Sequence, residues 1–180
     1  MKLNIDELVD VTCLIKDFES FAMFRNEAFV VALHDETSKA TRAYVSIHDE
    51  TEMVDEGLSH AAIRTYKYFY EVSNSKKIPT TEGIAECLRL APRTVQKACK
   101  ALVDEGYMYD RRFTAKRHTS CIRFLGKDIV RNARLKAAVI GLMMDRKLDG
   151  NQMAEWVSTN KEDYLKALTG TNELSIYFKD

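Results

Sequence analysis

The sequence predicts a mostly α-helical fold with a small β component, and three observations carry that expectation. Only 7 Gly and 2 Pro interrupt 180 residues, and apolar residues recur every three or four positions over several long stretches, as amphipathic helices require. Two short β-prone runs, Tyr107 to Phe113 and His118 to Phe124, flank a polar, basic connection and read as a hairpin. Finally, 46% hydrophobic and 30% charged residues are the make-up of a folded chain, not of a disordered segment or a collagen-like fibre. The length suits one full domain or two small ones. Charge and pattern divide it into an acidic α+β segment over 1–57, a basic helical module closed by the hairpin over 58–126, and a helical segment over 127–180.

The N-terminal segment opens with an expected helix from Ile5 to about Phe24. Two β-prone runs follow, Ala28 to Leu33 and Ala43 to Ile47, flanking the polar loop Asp35 to Thr41, and are expected to pair. In the central module, Leu58 to Ser73 carries Ala62, Tyr66, Phe69 and Val72 at near-helical spacing and ends in the polar stretch from Ser73 to Lys77. Pro79, Thr80 and Thr81 are a start signal, because a threonine hydroxyl can accept from a free amide of the next turn. A short helix, Thr81 to Leu88, follows, with Ile84, Ala85 and Leu88 on one side. The next runs from Pro92, tolerated in a first turn, to Glu105, and Gly106 closes it at a position that favours positive φ.

That last helix separates into two faces. Val95, Ala98, Cys99 and Leu102 stand at i, i+3, i+4 and i+7 and point to a core, while Arg93, Gln96, Lys97 and Lys100 occupy the opposite arc. Arg and Lys bond phosphates or the acceptor edge of guanine, and Gln pairs with adenine, so this arc has the chemistry of a major-groove reader. A hairpin behind such a helix is a wing, here carrying Arg111, Arg112, Lys116 and Arg117. The fold class expected is therefore a central winged helix-turn-helix between the two flanking segments.

The string from Leu88 through Arg89-Leu90-Ala91-Pro92-Arg93-Thr94-Val95 to Asp104-Glu105-Gly106-Tyr107-Met108 resembles the winged helix-turn-helix module of GntR-type bacterial regulators. In that module an L-G-V-S-R-x-T-V turn and recognition helix is followed by A-L-x-x-L and E-G-L/Y-I/M. The resemblance covers about residues 58–125. It implies that Arg93, Thr94, Gln96, Lys97 and Lys100 face the groove and that Thr80, Thr81 and Arg89 touch phosphates around the short helix. Arg89 replaces the turn glycine of the pattern and Ala91 its capping serine, so a non-glycine residue must occupy the turn and the helix loses a side-chain cap. The module is also central here, with about 55 residues after it, so the resemblance implies the module and not a ligand-sensing regulator of that type.

Charge agrees with a polyanion partner. Residues 1–57 carry 5 Lys and Arg against 13 Asp and Glu, a net of −8; residues 58–126 carry 13 against 6, a net of +7; residues 127–180 carry 9 against 8. A basic module inside an acidic or neutral chain is the footprint of a nucleic-acid surface. The acids at Asp35-Glu36 and from Asp49 to Glu56 are a solvated surface, or a segment that contacts another protein or folds back over the basic module.

Downstream, residues 127–148 form the most apolar helix candidate. Ile129, Ala133, Ala137, Ile140 and Met144 make a stripe that Leu135, Val139 and Leu142 widen, and it is either intramolecular core or the seam of a homodimer. Two short helices, Asn151 to Ser158 with the core anchor Trp156 and Glu162 to Leu168, lead to Leu174 through Phe178, a terminal strand or a docking tail.

Other classes are excluded or disfavoured. The longest uncharged apolar run, Ala137 to Met144, is far below the ~20 residues of a membrane span, and acids at Asp6 and Glu7 interrupt any leader-like stretch, so a cytoplasmic location is expected. Cysteines 13, 87, 99 and 121 form no CxxC pair, and Cys87 and Cys99 read as buried thiols on inward helix faces. His118 and Cys121 lack a second ligand pair for zinc. No Gly-rich phosphate loop and no G-x-S-x-G or H-E-x-x-H motif occurs, so no enzyme, cofactor or metal is expected. The expectation is a sequence-specific double-stranded DNA-binding protein, a homodimeric transcriptional regulator such as a phage- or plasmid-borne repressor. The alternatives are a replication or plasmid-maintenance protein using the same module, and an adaptor that binds a protein through the winged helix or the acidic segment.

Overall fold

The computed structural model describes the backbone of residues 47–72, 79–115 and 118–178, and their side chains except those of 47–49, 111–122 and 150. Seven α-helices and one two-stranded antiparallel sheet lie among the described residues, so the chain is mostly helical with a small β part. No helix described is long and apolar enough to cross a membrane. The expected helix Ile5 to Phe24 and the strand Ala28 to Leu33 lie outside the described residues, as does the second strand except for Ile47, which starts a helix instead. The described residues fall into two units, one of 47–112 with 119–130, the other of 131–178 with 113–115 and 118.

The first unit begins with α1 (Ile47–Asp55), which closes on Gly57, and α2 (His60–Glu71), where Ser59 accepts from the Ala62 amide as N-cap. Then come α3 (Thr81–Leu88) and α4 (Pro92–Asp104), followed by the hairpin β1 (Met108–Ala115) and β2 (His118–Leu125). The core is built from the positions that helical spacing picks out: Ala62, Tyr66 and Phe69 of α2, Ile84 and Ala85 of α3, and Val95, Ala98 and Leu102 of α4. Tyr107, Met108 and Leu125 at the hairpin base join it. Gly106 takes φ 77°, a region a Cβ would crowd, and lets the chain leave α4 straight into β1.

This unit extends past both ends of the 58–126 module. Met53 of α1 is fully buried in its core, and Lys127 donates to Glu52 (2.9 Å) and to Glu56. Tyr107 donates its hydroxyl to the same Glu56 (2.8 Å), while the Lys127 ammonium stands 4.7 Å over the Tyr107 ring. Burial lowers the Lys127 pKa, but the hydrogen bonds and charges of Glu56 and Glu52 outweigh it, and the pKa lies above its ordinary value. Glu50 pairs with Lys67 of α2 at 2.5 Å. The acids from Glu50 to Glu56 that pair thus hold α1 onto α2 and the hairpin base, which is a structural task and differs from a solvated surface.

In the second unit, α5 (Lys127–Arg146), which starts in the first, is followed by α6 (Gly150–Thr159), α7 (Lys161–Thr169) and a 3₁₀ turn, Ser175–Tyr177. Asp149 and Gln152 form a reciprocal capping box at the start of α6. Leu135, Ala138, Val139, Leu142 and Met143 pack with Met153, Val157, Tyr164, Leu168, Leu174 and Tyr177. The terminal segment is therefore a docked 3₁₀ turn and not a strand, because Leu174 and Tyr177 need the shorter repeat to turn inward together. Trp156 packs on this core, edge-on to Tyr164 (6.1 Å) and under the Arg146 guanidinium (4.0 Å).

Candidate nucleic-acid interface

The arc of α4 opposite its core face is exposed. Val95, Ala98 and Leu102 are buried, whereas Arg93, Gln96, Lys97 and Lys100 reach solvent and Thr94 is half-buried. Ala91 takes the extended N-cap backbone but has no side chain to accept a hydrogen bond, and Pro92 fills the first position. The positive end of the α4 dipole therefore lies uncapped beside Arg93. Before it, Arg89 closes α3 in the left-handed conformation, φ 52° and ψ 48°, as the missing turn glycine predicts. Thr80 is the N-cap of α3 and accepts from the Gly83 amide at 3.1 Å, which leaves its hydroxyl proton to donate outward; Thr81 is half-buried.

Ion pairing sorts the cations of this unit. Lys100 is held by Asp104 at 2.6 Å, Lys67 by Glu50, and Lys127 by Glu52 and Glu56. Arg64 donates to the Leu88 carbonyl (2.7 Å), the last of α3. Arg123 makes a two-pronged pair with Asp110 (2.7 and 2.6 Å) and lies 4.1 Å over the Phe69 ring, tying the hairpin to α2. Among the described residues, Arg89, Arg93 and Lys97 are exposed and have no ion pair. They follow one another at steps of four from the turn into the first two turns of α4. Arg93 and Lys97, at i and i+4 on one face, also repel each other, a small cost that a bound anion would reverse.

The other expected positions come out differently. Arg111 and Arg112 lie in β1, and Lys116 and Arg117 lie outside the described residues. Cys87, expected to face inward, is exposed, and its sulfur accepts from the Tyr68 hydroxyl (3.7 Å), because α3 turns Ile84 and Ala85 to the core and residue 87 away from it. Cys99 is half-buried, and desolvation pushes its thiol pKa up, which keeps it protonated. Of the expected dimer seam, Ala133, Ala137 and Ile140 are already buried within the single chain (0%, 2% and 8% exposed), Ile129 is half-buried, and Met144 is exposed. That burial supports the intramolecular alternative.

Two features were missed in the sequence. Glu82 and Glu86 are exposed on α3, four residues apart, an acidic pair on one helix face that their spacing could have revealed. The Arg123, Asp110 and Phe69 cluster carried no local signal, since its members come from two strands and a distant helix. No protein-family model matches this sequence, and no curated protein or solved structure matches it either.

Proposed function

We propose that this protein binds double-stranded DNA sequence-specifically, as a transcriptional regulator, with 58–126 acting as a winged helix-turn-helix and α4 entering the major groove. The observation that carries the reading is the exposed run Arg89, Arg93, Lys97 with Gln96 beside it, without an ion pair among the described residues, while the other described cations of the unit except Lys100, held on the same arc by Asp104, are used to build the fold. Arg93 and Gln96 are the base readers, toward guanine and adenine, and Lys97 and Arg89 supply backbone contacts. Glu86 keeps the second turn of α3 away from the phosphates, and Thr80 and Thr81 approach them at its N-terminus, where Glu82 also stands in the first turn.

The experiment is selection from a pool of random duplexes at two salt concentrations, with sequencing of the bound fraction. An enriched motif, together with a log K against log salt slope at least as steep as about −1.8 from the two cationic phosphate contacts of Lys97 and Arg89, supports the reading. Absence of duplex binding at low salt overturns it. Replication initiation or plasmid maintenance would use the same contacts, and an enriched tandem array in place of a single or inverted site would favour it.

A further inference from the structure

Four helix ends in the described residues share one closure, in which a left-handed residue donates to the carbonyl three back and its successor donates to the carbonyl five back. At Gly57 the bonds are Gly57 to Val54 and Leu58 to Met53, both 2.9 Å. At Gly106 they are Gly106 to Val103 (3.2 Å) and Tyr107 to Leu102 (2.8 Å). The other two put a long cation in the same place: Arg89 to Glu86 (3.2 Å) with Leu90 to Ala85 (2.9 Å), and Lys147 to Met144 (3.2 Å) with Leu148 to Met143 (3.0 Å). The φ values are 77° at both glycines, 52° at Arg89 and 55° at Lys147. Glycine adopts this region freely, whereas any Cβ crowds the following carbonyl oxygen.

A cation at a helix C-terminus recovers part of that cost from the helix dipole, equally at both positions. The surroundings separate them. The usual task of such a cation, bonding the last carbonyls, is already performed at α3 by Arg64, which donates to the Leu88 carbonyl from α2. The Arg89 side chain is thus exposed, has no ion partner among the described residues, and stands next to the uncapped start of α4, with Arg93 and Lys97 following. Lys147 stands in the other unit, in the mixed-charge sequence Asp145-Arg146-Lys147-Leu148-Asp149, where two acids flank it and its one cationic neighbour, Arg146, lies over the Trp156 ring.

We propose that Arg89 is retained in the left-handed turn between α3 and α4, where glycine would be more stable, because its guanidinium holds a phosphate of bound duplex DNA. A guanidinium suits the task because its planar fork matches two phosphate oxygens. The turn thereby exchanges stability for affinity, and the inference rests on the DNA-binding reading above.

The test uses the full chain and three proteins: wild type, Arg89→Gly and Lys147→Gly, each melted thermally and titrated with random-sequence duplex across a salt series. Arg89→Gly is expected to melt higher by roughly 2–4 °C. It should also bind duplex about three- to tenfold more weakly at low salt, with a log–log salt slope shallower by about 0.9. Lys147→Gly should melt higher too, with binding and slope unchanged. A wild-type slope in Arg89→Gly overturns the proposal, as does an equal loss in Lys147→Gly, which would reduce the effect to net charge. A lower melting temperature for Arg89→Gly overturns the conformational half. No duplex binding by the wild type would instead overturn the functional reading itself.

Discussion

Raising the pH should loosen the second unit, and the size of the effect follows from two tyrosines. Tyr164 is fully buried and Tyr177 is 8% exposed, and burial pushes both phenols from 10.0 up to about 12. At Tyr177, Arg134 and Arg131 pull the other way without cancelling that effect. Burial disfavours the charged phenolate, so the folded pKa lies above the unfolded one. The stability each group contributes is therefore fully present below pH 10 and is lost as pH rises through about 10 to about 12, the loss approaching about 3 kcal/mol per residue above that window. At pH 11 the loss is about 1 kcal/mol for each tyrosine. Urea unfolding followed by Trp156 fluorescence reads this unit selectively, since Trp156 is the single tryptophan and packs edge-on to Tyr164. Tyr177→Phe isolates the effect: its hydroxyl has no hydrogen-bond partner among the described residues, so its removal costs little at pH 7, and the variant should be more stable than wild type by about 1 kcal/mol at pH 11. Equal pH dependence in the two proteins would refute the reasoning, because lysine titration and general alkaline expansion are common to both.

Three further outcomes are expected. Lys127→Met should cost about 1–3 kcal/mol in urea unfolding, since Glu52 and Glu56 lose the cation that neutralises them beside Tyr107; an unchanged midpoint would mean that Met53 and the other pairs of α1 hold it without Lys127. Ala91→Ser should raise stability by about 0.5–1.5 kcal/mol, because the residue already has extended N-cap backbone and lacks only the accepting oxygen; a thermal melt without an upward shift would contradict this. Arg93→Ala and Gln96→Ala should each cost about 1–3 kcal/mol on a selected site and little on random duplex, whereas Lys97→Ala should weaken both, as read by competition binding; uniform losses from all three would sink the division into base readers and backbone contacts.

Much of the fold was legible because its signals are local. The limits of α3 and α4 follow from Thr80, Pro92 and Gly106, residues whose effect on the backbone does not depend on what packs nearby. The core face of α4 follows from the spacing of Val95, Ala98 and Leu102, and the exposed arc from the same periodicity. The left-handed turn was likewise readable, in the mismatch between Arg89 and the glycine expected there. Periodicity failed at the ends and in short apolar runs: Ile47 was read as the end of a strand and starts α1, and Leu174 through Phe178, β-prone by composition, forms a 3₁₀ turn. In both, burial of one or two side chains outweighs a weak β preference.

By itself, then, the sequence determined where the helices of 58–180 and the hairpin lie, and that a cationic arc stands opposite the core face of α4. On that arc Lys100 is taken by Asp104 four residues on, a local pair, but which of the unit's other cations remain available was decided by tertiary structure. Tyr107 meets Glu56 across 51 residues, and Lys127 meets Glu52 across 75. No local pattern encodes such pairs, since their geometry exists only once the core has brought their elements together. The physical reason is one of range: capping, helical spacing and backbone preference act within a few residues, while neutralisation of one charge by another depends on distance in space. A net charge of +7 over the central segment is therefore a property of composition, and the three unpaired cations at the start of α4 are a property of the fold.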